Sequence, residues 1–303
     1  MDNRVLRFSL SGMLLLSNFC CAGRDIRLRE SSFSKSKAKR SLQFIGFIGE
    51  GILERPLGLT TDLLGNIYIA DGGDYRIKKF DPQGKLLQET EGYGGGRSRF
   101  SHPVAVSFGG DLRLYVLDGL NGEVQALDRD LGFLFSLGKG SGEGSLLSFP
   151  SGLASDKSGR IFVIDSRQDG LFLLASGGEF KNLYSATGFL LKPTDIAVDP
   201  QGKIYVTDGR GKLKAFDFVG GLIGSMGQEI LTDPVGVATD EAGNIWVTDR
   251  SFRSILLFSP QGELMEKFPL PFPPGKLEIS PPDKVLWVID QSGARVAGYQ
   301  IDQ

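Results

Sequence analysis

Histidine occurs once in this chain of 303 residues, and cysteine and tryptophan occur twice each. Each scarcity closes off a class of chemistry. A single imidazole, His102, cannot furnish a histidine-rich zinc site. Both cysteines, Cys20 and Cys21, stand near the start, so the remainder has neither a thiol nucleophile nor a disulfide framework. No Gly-x-Ser-x-Gly elbow marks a hydrolase nucleophile. No apolar run reaches the ~20 residues that span a bilayer as a helix. Basic residues cluster only at 24–40, where seven Lys/Arg face two acids; from Ser41 onward 25 basic residues face 33 acidic ones. That acidic excess argues against nucleic acid as a partner, because phosphate neutralisation needs clustered cations.

The first 22 residues read as an export signal: Arg4 and Arg7, then the apolar run Phe8–Leu16, then Cys20-Cys21-Ala22. We therefore expect a signal peptide over 1–22, a basic flexible linker over 23–40 and a secreted or periplasmic protein of a bacterial envelope. Lipidation at Cys20 or Cys21 is the rival reading, although Ser17-Asn18-Phe19 fits a lipoprotein box badly.

What the chain has in plenty is glycine, 42 residues, about twice ordinary usage, which points to many tight turns. It also repeats itself. A strand ending in aspartate recurs six times: Ile67–Asp71, Leu114–Asp118, Ile161–Asp165, Ile204–Asp208, Ile245–Asp249 and Leu286–Asp290. The aspartates are 47, 47, 43, 41 and 41 residues apart. A proline opens a strand before each one: Pro56, Pro103, Pro150, Pro193, Pro234, and Pro273 or Pro274. Turns such as Asp62 to Gly65-Asn66 separate the two strands, and a short loop leads on to a third, such as Arg76–Phe80. A Pro-Gln-Gly type of turn then leads to a fourth. Four short antiparallel strands at this period describe a propeller blade, and six copies make an all-β, six-bladed propeller.

The grammar resembles the NHL-repeat family: Pro56-Leu-Gly-Leu59, Gly65 to Asp71, and Asp71 to Arg76-Ile77. The resemblance covers residues 42–301, with departures at Phe108-Gly-Gly-Asp111, at Pro281-Pro282-Asp283 and in the third repeat, which lacks Arg-Ile. The last repeat runs out of chain after its third strand. Leu42–Gly49 reads like a fourth strand, so the N-terminal strand is expected to complete blade six within a propeller over 41–303, leaving no free edge.

The six aspartates, Asp71, Asp118, Asp165, Asp208, Asp249 and Asp290, read as structural, because an aspartate opening a turn accepts backbone N–H bonds. Propellers of related shape include lyases with a histidine-bound zinc and lactonases holding calcium in the channel. His102 alone cannot build the first, and it reads as a surface or partner-contact side chain rather than a metal ligand. For the second, the channel-facing positions are mostly Gly or Ala, but blade four has Asp195 and blade six has Lys276 and Glu278. An Asp195–Lys276 ion pair is the ordinary outcome there, and a cation site through Asp195 and Glu278 the alternative.

Loops before each proline and after each aspartate should surround one channel mouth, the usual place for recognition on a rigid scaffold. The binding candidates there are Arg55, Tyr75, His102, Phe149, Lys192, Arg250 and Phe252. On these grounds the chain is expected to be a monomeric, non-enzymatic module without catalytic residue, cofactor or metal, binding an envelope or extracellular protein, peptide or glycan. The alternative is a calcium-dependent lactonase- or lyase-like propeller enzyme with its site in the central channel.

Overall fold

The computed structural model describes residues 40–138, 147–174, 180–184, 189–282 and 284–302, with backbone only at 180–184. The expected signal peptide, and the linker except Arg40, lie outside the described residues. Within them there is no helix, and so none long and apolar enough to cross a membrane.

Six four-stranded antiparallel sheets stand round an axis as blades. The inner strands are Pro56–Thr61, Pro103–Phe108, Pro150–Ser155, Asp195–Val198, Pro234–Thr239 and Pro274–Ser280. Blade four departs from the proline rule: its inner strand starts at Asp195, two residues after Pro193, and the Thr194 hydroxyl beside it lies 2.7 Å from Thr207 Oγ1 and donates to the Pro234 carbonyl at 3.0 Å.

The six second strands are buried on both faces, and that explains their continuous apolar character. Alternate side chains serve opposite neighbours. Ile67 and Ile69 of blade one join Trp287 and Val296 of blade six. Tyr68 and Ala70, pointing the other way, join Val106 and Val116 of blade two. Each blade junction carries its own apolar cluster, so the core is a ring of six rather than one centre.

Two polar devices shape the loops. At the first hairpin of blade one, Asp62 Oδ1 accepts the N–H groups of Leu64 and Asn66, both at 2.9 Å, and Gly65 supplies the positive φ of 81°. At the other face the repeated aspartates act as latches. Asp118 accepts from Ser101 and His102 N–H at 2.7 and 3.0 Å, and from Leu120 and Asn121 N–H at 3.2 Å. It thereby ties the loop before its blade to the loop after its second strand. Asp71, Asp165, Asp208 and Asp249 do the same for their own blades. Among the described residues, Asp290 holds only the loop after it, together with Arg295.

Ser41–Ile48 pairs antiparallel with Arg295–Asp302, running from Ser41 opposite Asp302 to Ile48 opposite Val296. The N-terminal strand thus closes the ring as the outer strand of blade six. Ile48 is buried, and the Arg295 guanidinium lies 3.7 Å from the centre of the Phe47 ring.

Candidate functional site

The inner strands approach each other closely at the axis, which is why small residues dominate there. A Cβ on Gly58 would sit 2.8 Å from the Ala105 Cα, and one on Gly236 2.8 Å from the Lys276 Cα. Blade six breaks the pattern. Lys276 extends to the blade three steps round the ring and donates from Nζ to the Ser151 carbonyl at 2.9 Å. The same ammonium lies 3.1 Å from Asp195 Oδ1 on blade four. Asp195 Oδ2 in turn accepts the Val237 N–H at 3.0 Å. The ion pair expected from the sequence therefore exists, and Lys276 straps the channel.

Two cavities meet at that strap. Below it lies a polar chamber of about 150 Å³, walled by all six inner strands. Its hydroxyls mostly tie neighbouring strands: Ser107 Oγ lies 2.7 Å from Ser155 Oγ, and Thr239 Oγ1 donates to the Val198 carbonyl at 3.2 Å. Glu278, half-buried in the same wall, makes no hydrogen bond among the described residues. Removal of its carboxyl from bulk water, with Asp195 nearby, pushes it up to about 8. Burial also raises Asp195, against the pull of Lys276.

Above the strap the mouth opens into a cavity of about 310 Å³. Its floor includes Ser151, Thr194, Gly275 and Lys276; its walls include Leu57, His102, Leu120, Phe149, Val235, Arg250 and Gln291. His102 is placed by the Asp118 latch. Burial, and then the Arg55 cation, hold its imidazole below its ordinary value despite Asp118, so it is neutral at pH 7.

Of the seven binding candidates, His102, Phe149 and Arg250 line the mouth cavity. Lys192 lines a shallower hollow beside it, with Phe149 and Arg167. Tyr75 packs on Tyr93 with ring centres 5.3 Å apart, Arg55 Nη2 reaches the Gly72 carbonyl at 3.3 Å, and Phe252 lies under Lys267, so these three do not line it. Of the floor, sequence reasoning named Lys276 and missed Ser151, Thr194 and Gly275. The Ser151 acceptor is a backbone carbonyl, which carries no signal of residue type.

A calcium or zinc site does not fit these side chains. Among the described residues no group of three or more His, Cys, Asp or Glu comes together. Both Asp195 oxygens are engaged by donors, which leaves Glu278 as the single unpartnered carboxyl in the channel.

No protein-family model matches the sequence, and the curated proteins include no match, so membership of the NHL-repeat family is not established. Solved structures do match. Virginiamycin B lyase from Staphylococcus aureus, a catalytically inactive histidine-to-alanine variant with quinupristin, aligns with a TM-score of 0.62 at 12% identity over 86% of this chain and 99% of that one. A streptogramin B lyase gives 0.60 at 13% identity over 87% and 98%. A gluconolactonase from Xanthomonas campestris gives 0.64 at 15% identity over 82% and 87%. These likenesses establish the six-bladed fold. They also correct the expectation of a non-enzymatic interaction module, since these three solved propellers are enzymes.

Proposed function

We propose that the chain is a ring-opening enzyme of the lyase or lactonase kind, working at the floor of the mouth cavity without a metal. One observation carries the reading: the sole histidine of the chain, held neutral, shares a cavity with a lysine ammonium that still has a donor to give. Lysine has three N–H donors, and Ser151 and Asp195 engage two. The third is free to meet a substrate carbonyl oxygen.

The two groups suit both chemistries. A neutral imidazole accepts a proton in either of two ways: from a carbon that a second carbonyl acidifies, next to the carbon bearing the ring-ester oxygen, so that a double bond forms and the carboxylate leaves; or from a water whose oxygen adds to the ester carbonyl, so that the ring alcohol leaves. In both cases negative charge develops on the carbonyl oxygen, where a fixed ammonium stabilises it. Asp195 and the Ser151 carbonyl act as positioning groups, holding Lys276 so that little reorganisation is needed.

The test is turnover of a ring ester by the wild type and by His102→Gln and Lys276→Met. We expect His102→Gln to lower kcat by about 10²- to 10⁴-fold with an unchanged melting temperature. Lys276→Met should lower it by about 10²- to 10³-fold. Full activity in His102→Gln would overturn the reading. Product analysis, unsaturated acid against hydroxy acid, separates elimination from hydrolysis.

A further inference from the structure

The two hydroxyls that line the mouth cavity have their protons engaged by the fold. Ser151 Oγ donates to the Pro193 carbonyl at 2.7 Å. Thr194 Oγ1 is shared between Thr207 Oγ1 and the Pro234 carbonyl. Arg250 grips the Asp233 carboxylate from Nε at 2.8 Å and from Nη2 at 3.3 Å. Lys276 keeps one proton. The groups left for a ligand are that proton, the His102 imidazole, the Gln291 amide and the remaining N–H groups of Arg250.

The apolar part of the wall is the opposite case. Leu120 is 69% exposed and Phe149 55%, and both line the cavity beside Leu57, Val104, Val235 and Ile289. Nothing in the fold requires Leu120 or Phe149 at these loop positions; the latch uses their neighbourhood through backbone N–H groups, as Leu120 and Phe149 each donate to an aspartate. Large exposed apolar side chains grouped on a concave wall mark a surface that a ligand covers.

We infer that the substrate is an apolar ring ester, carrying an aromatic or aliphatic body and the ester carbonyl alone, opened therefore by hydrolysis, and not a sugar lactone. The inference rests on the ring-opening reading for the chemistry and on the wall for the ligand class. A sugar ring would press several hydroxyls against the apolar side chains of Leu57, Val104, Leu120, Phe149, Val235 and Ile289, leaving polar groups covered without partners. An aryl or alkyl body would instead cover Phe149 and Leu120, with its one carbonyl oxygen meeting the free proton of Lys276.

The experiment separates binding from turnover. Binding is measured by calorimetry with two ring amides that the enzyme does not open, 3,4-dihydroquinolin-2-one and gluconolactam. Turnover is measured with the matching ring esters, 3,4-dihydrocoumarin and glucono-1,5-lactone. We expect the aryl lactam to bind at least tenfold more tightly than the sugar lactam, and Phe149→Ala to erase most of that ratio. Binding of gluconolactam as tightly as the aryl lactam, or binding of neither, overturns the inference. Aryl binding without opening of dihydrocoumarin leaves the ligand class standing and overturns hydrolytic ring opening. Opening of both esters with no aryl preference does the reverse.

Discussion

The Lys276 ammonium lies 3.1 Å from the Asp195 carboxylate, two blades away round the ring, and Lys276 lines both the mouth cavity and the chamber below it. The pair is largely shielded from water, with side chains 15% and 8% exposed. Removing one partner of such a pair costs more than the pair itself contributes, because the survivor remains buried and charged. Lys276→Met should therefore lower stability by about 3 kcal/mol. The double variant Asp195→Asn, Lys276→Met should recover most of that loss. Denaturant midpoints of the single and double variants measure it, and equal losses in both would show that the pair is not coupled.

Glu278 makes stability depend on pH. In the unfolded chain its carboxyl ionises near 4.5, whereas in the folded protein it does so at about 8. Between those values the folded state keeps a proton that the unfolded state has lost, so the unfolding free energy falls as pH rises. The fall ends above pH 8, where both states are ionised. Glu278→Gln should flatten the slope between pH 5 and 8. Chemical denaturation at pH 5, 6.5 and 8 reads this directly, and an unchanged slope in the variant would refute it.

The Asp118 latch should matter to both fold and site. Asp118→Ala leaves the amides of Ser101, His102, Leu120 and Asn121 without their acceptor, in the two loops that carry His102 and Leu120. A loss of about 2 kcal/mol is expected from orphaned donors of this kind. Ring-ester turnover should fall with it even at temperatures where the variant remains folded.

Ring closure can be tested by truncation. A chain starting at Arg40 keeps the Ser41–Ile48 strand, its pairing with Arg295–Asp302, and the Arg40–Asp240 ion pair at 3.0 Å. One starting at Gly49 loses all three, uncovers Val296 and Tyr299, and opens a sheet edge. The shorter chain should melt many degrees lower and associate at high concentration. Equal melting temperatures would contradict the closure.

How much of this was legible in the sequence follows from the range of the interactions involved. The blade is a local object. Its strand period, its Asx-turn glycines and its latch aspartates connect residues within one repeat, so six copies announce themselves in six places. The terminal strand was legible for the same reason, since Leu42–Gly49 repeats the pattern of a fourth strand and blade six lacked one. The aspartates read as structural, and the latch bonds give that reading its geometry. The site is of another kind. Lys276 reaches Ser151 across 125 residues of sequence, to an acceptor that every residue type possesses. The raised carboxyl of Glu278 comes from the company of five other inner strands, and no neighbour in sequence foretells it. The rim residues show the same division: all seven stood on repeat loops, but which of them line the mouth depended on how far each loop leans over the axis. Repetition along the chain determined the ring, because its bonds are short-range and recur. Closure of the ring decided the site, because only then do side chains that share no repeat, and no sequence pattern, face one another across the same few ångströms of channel.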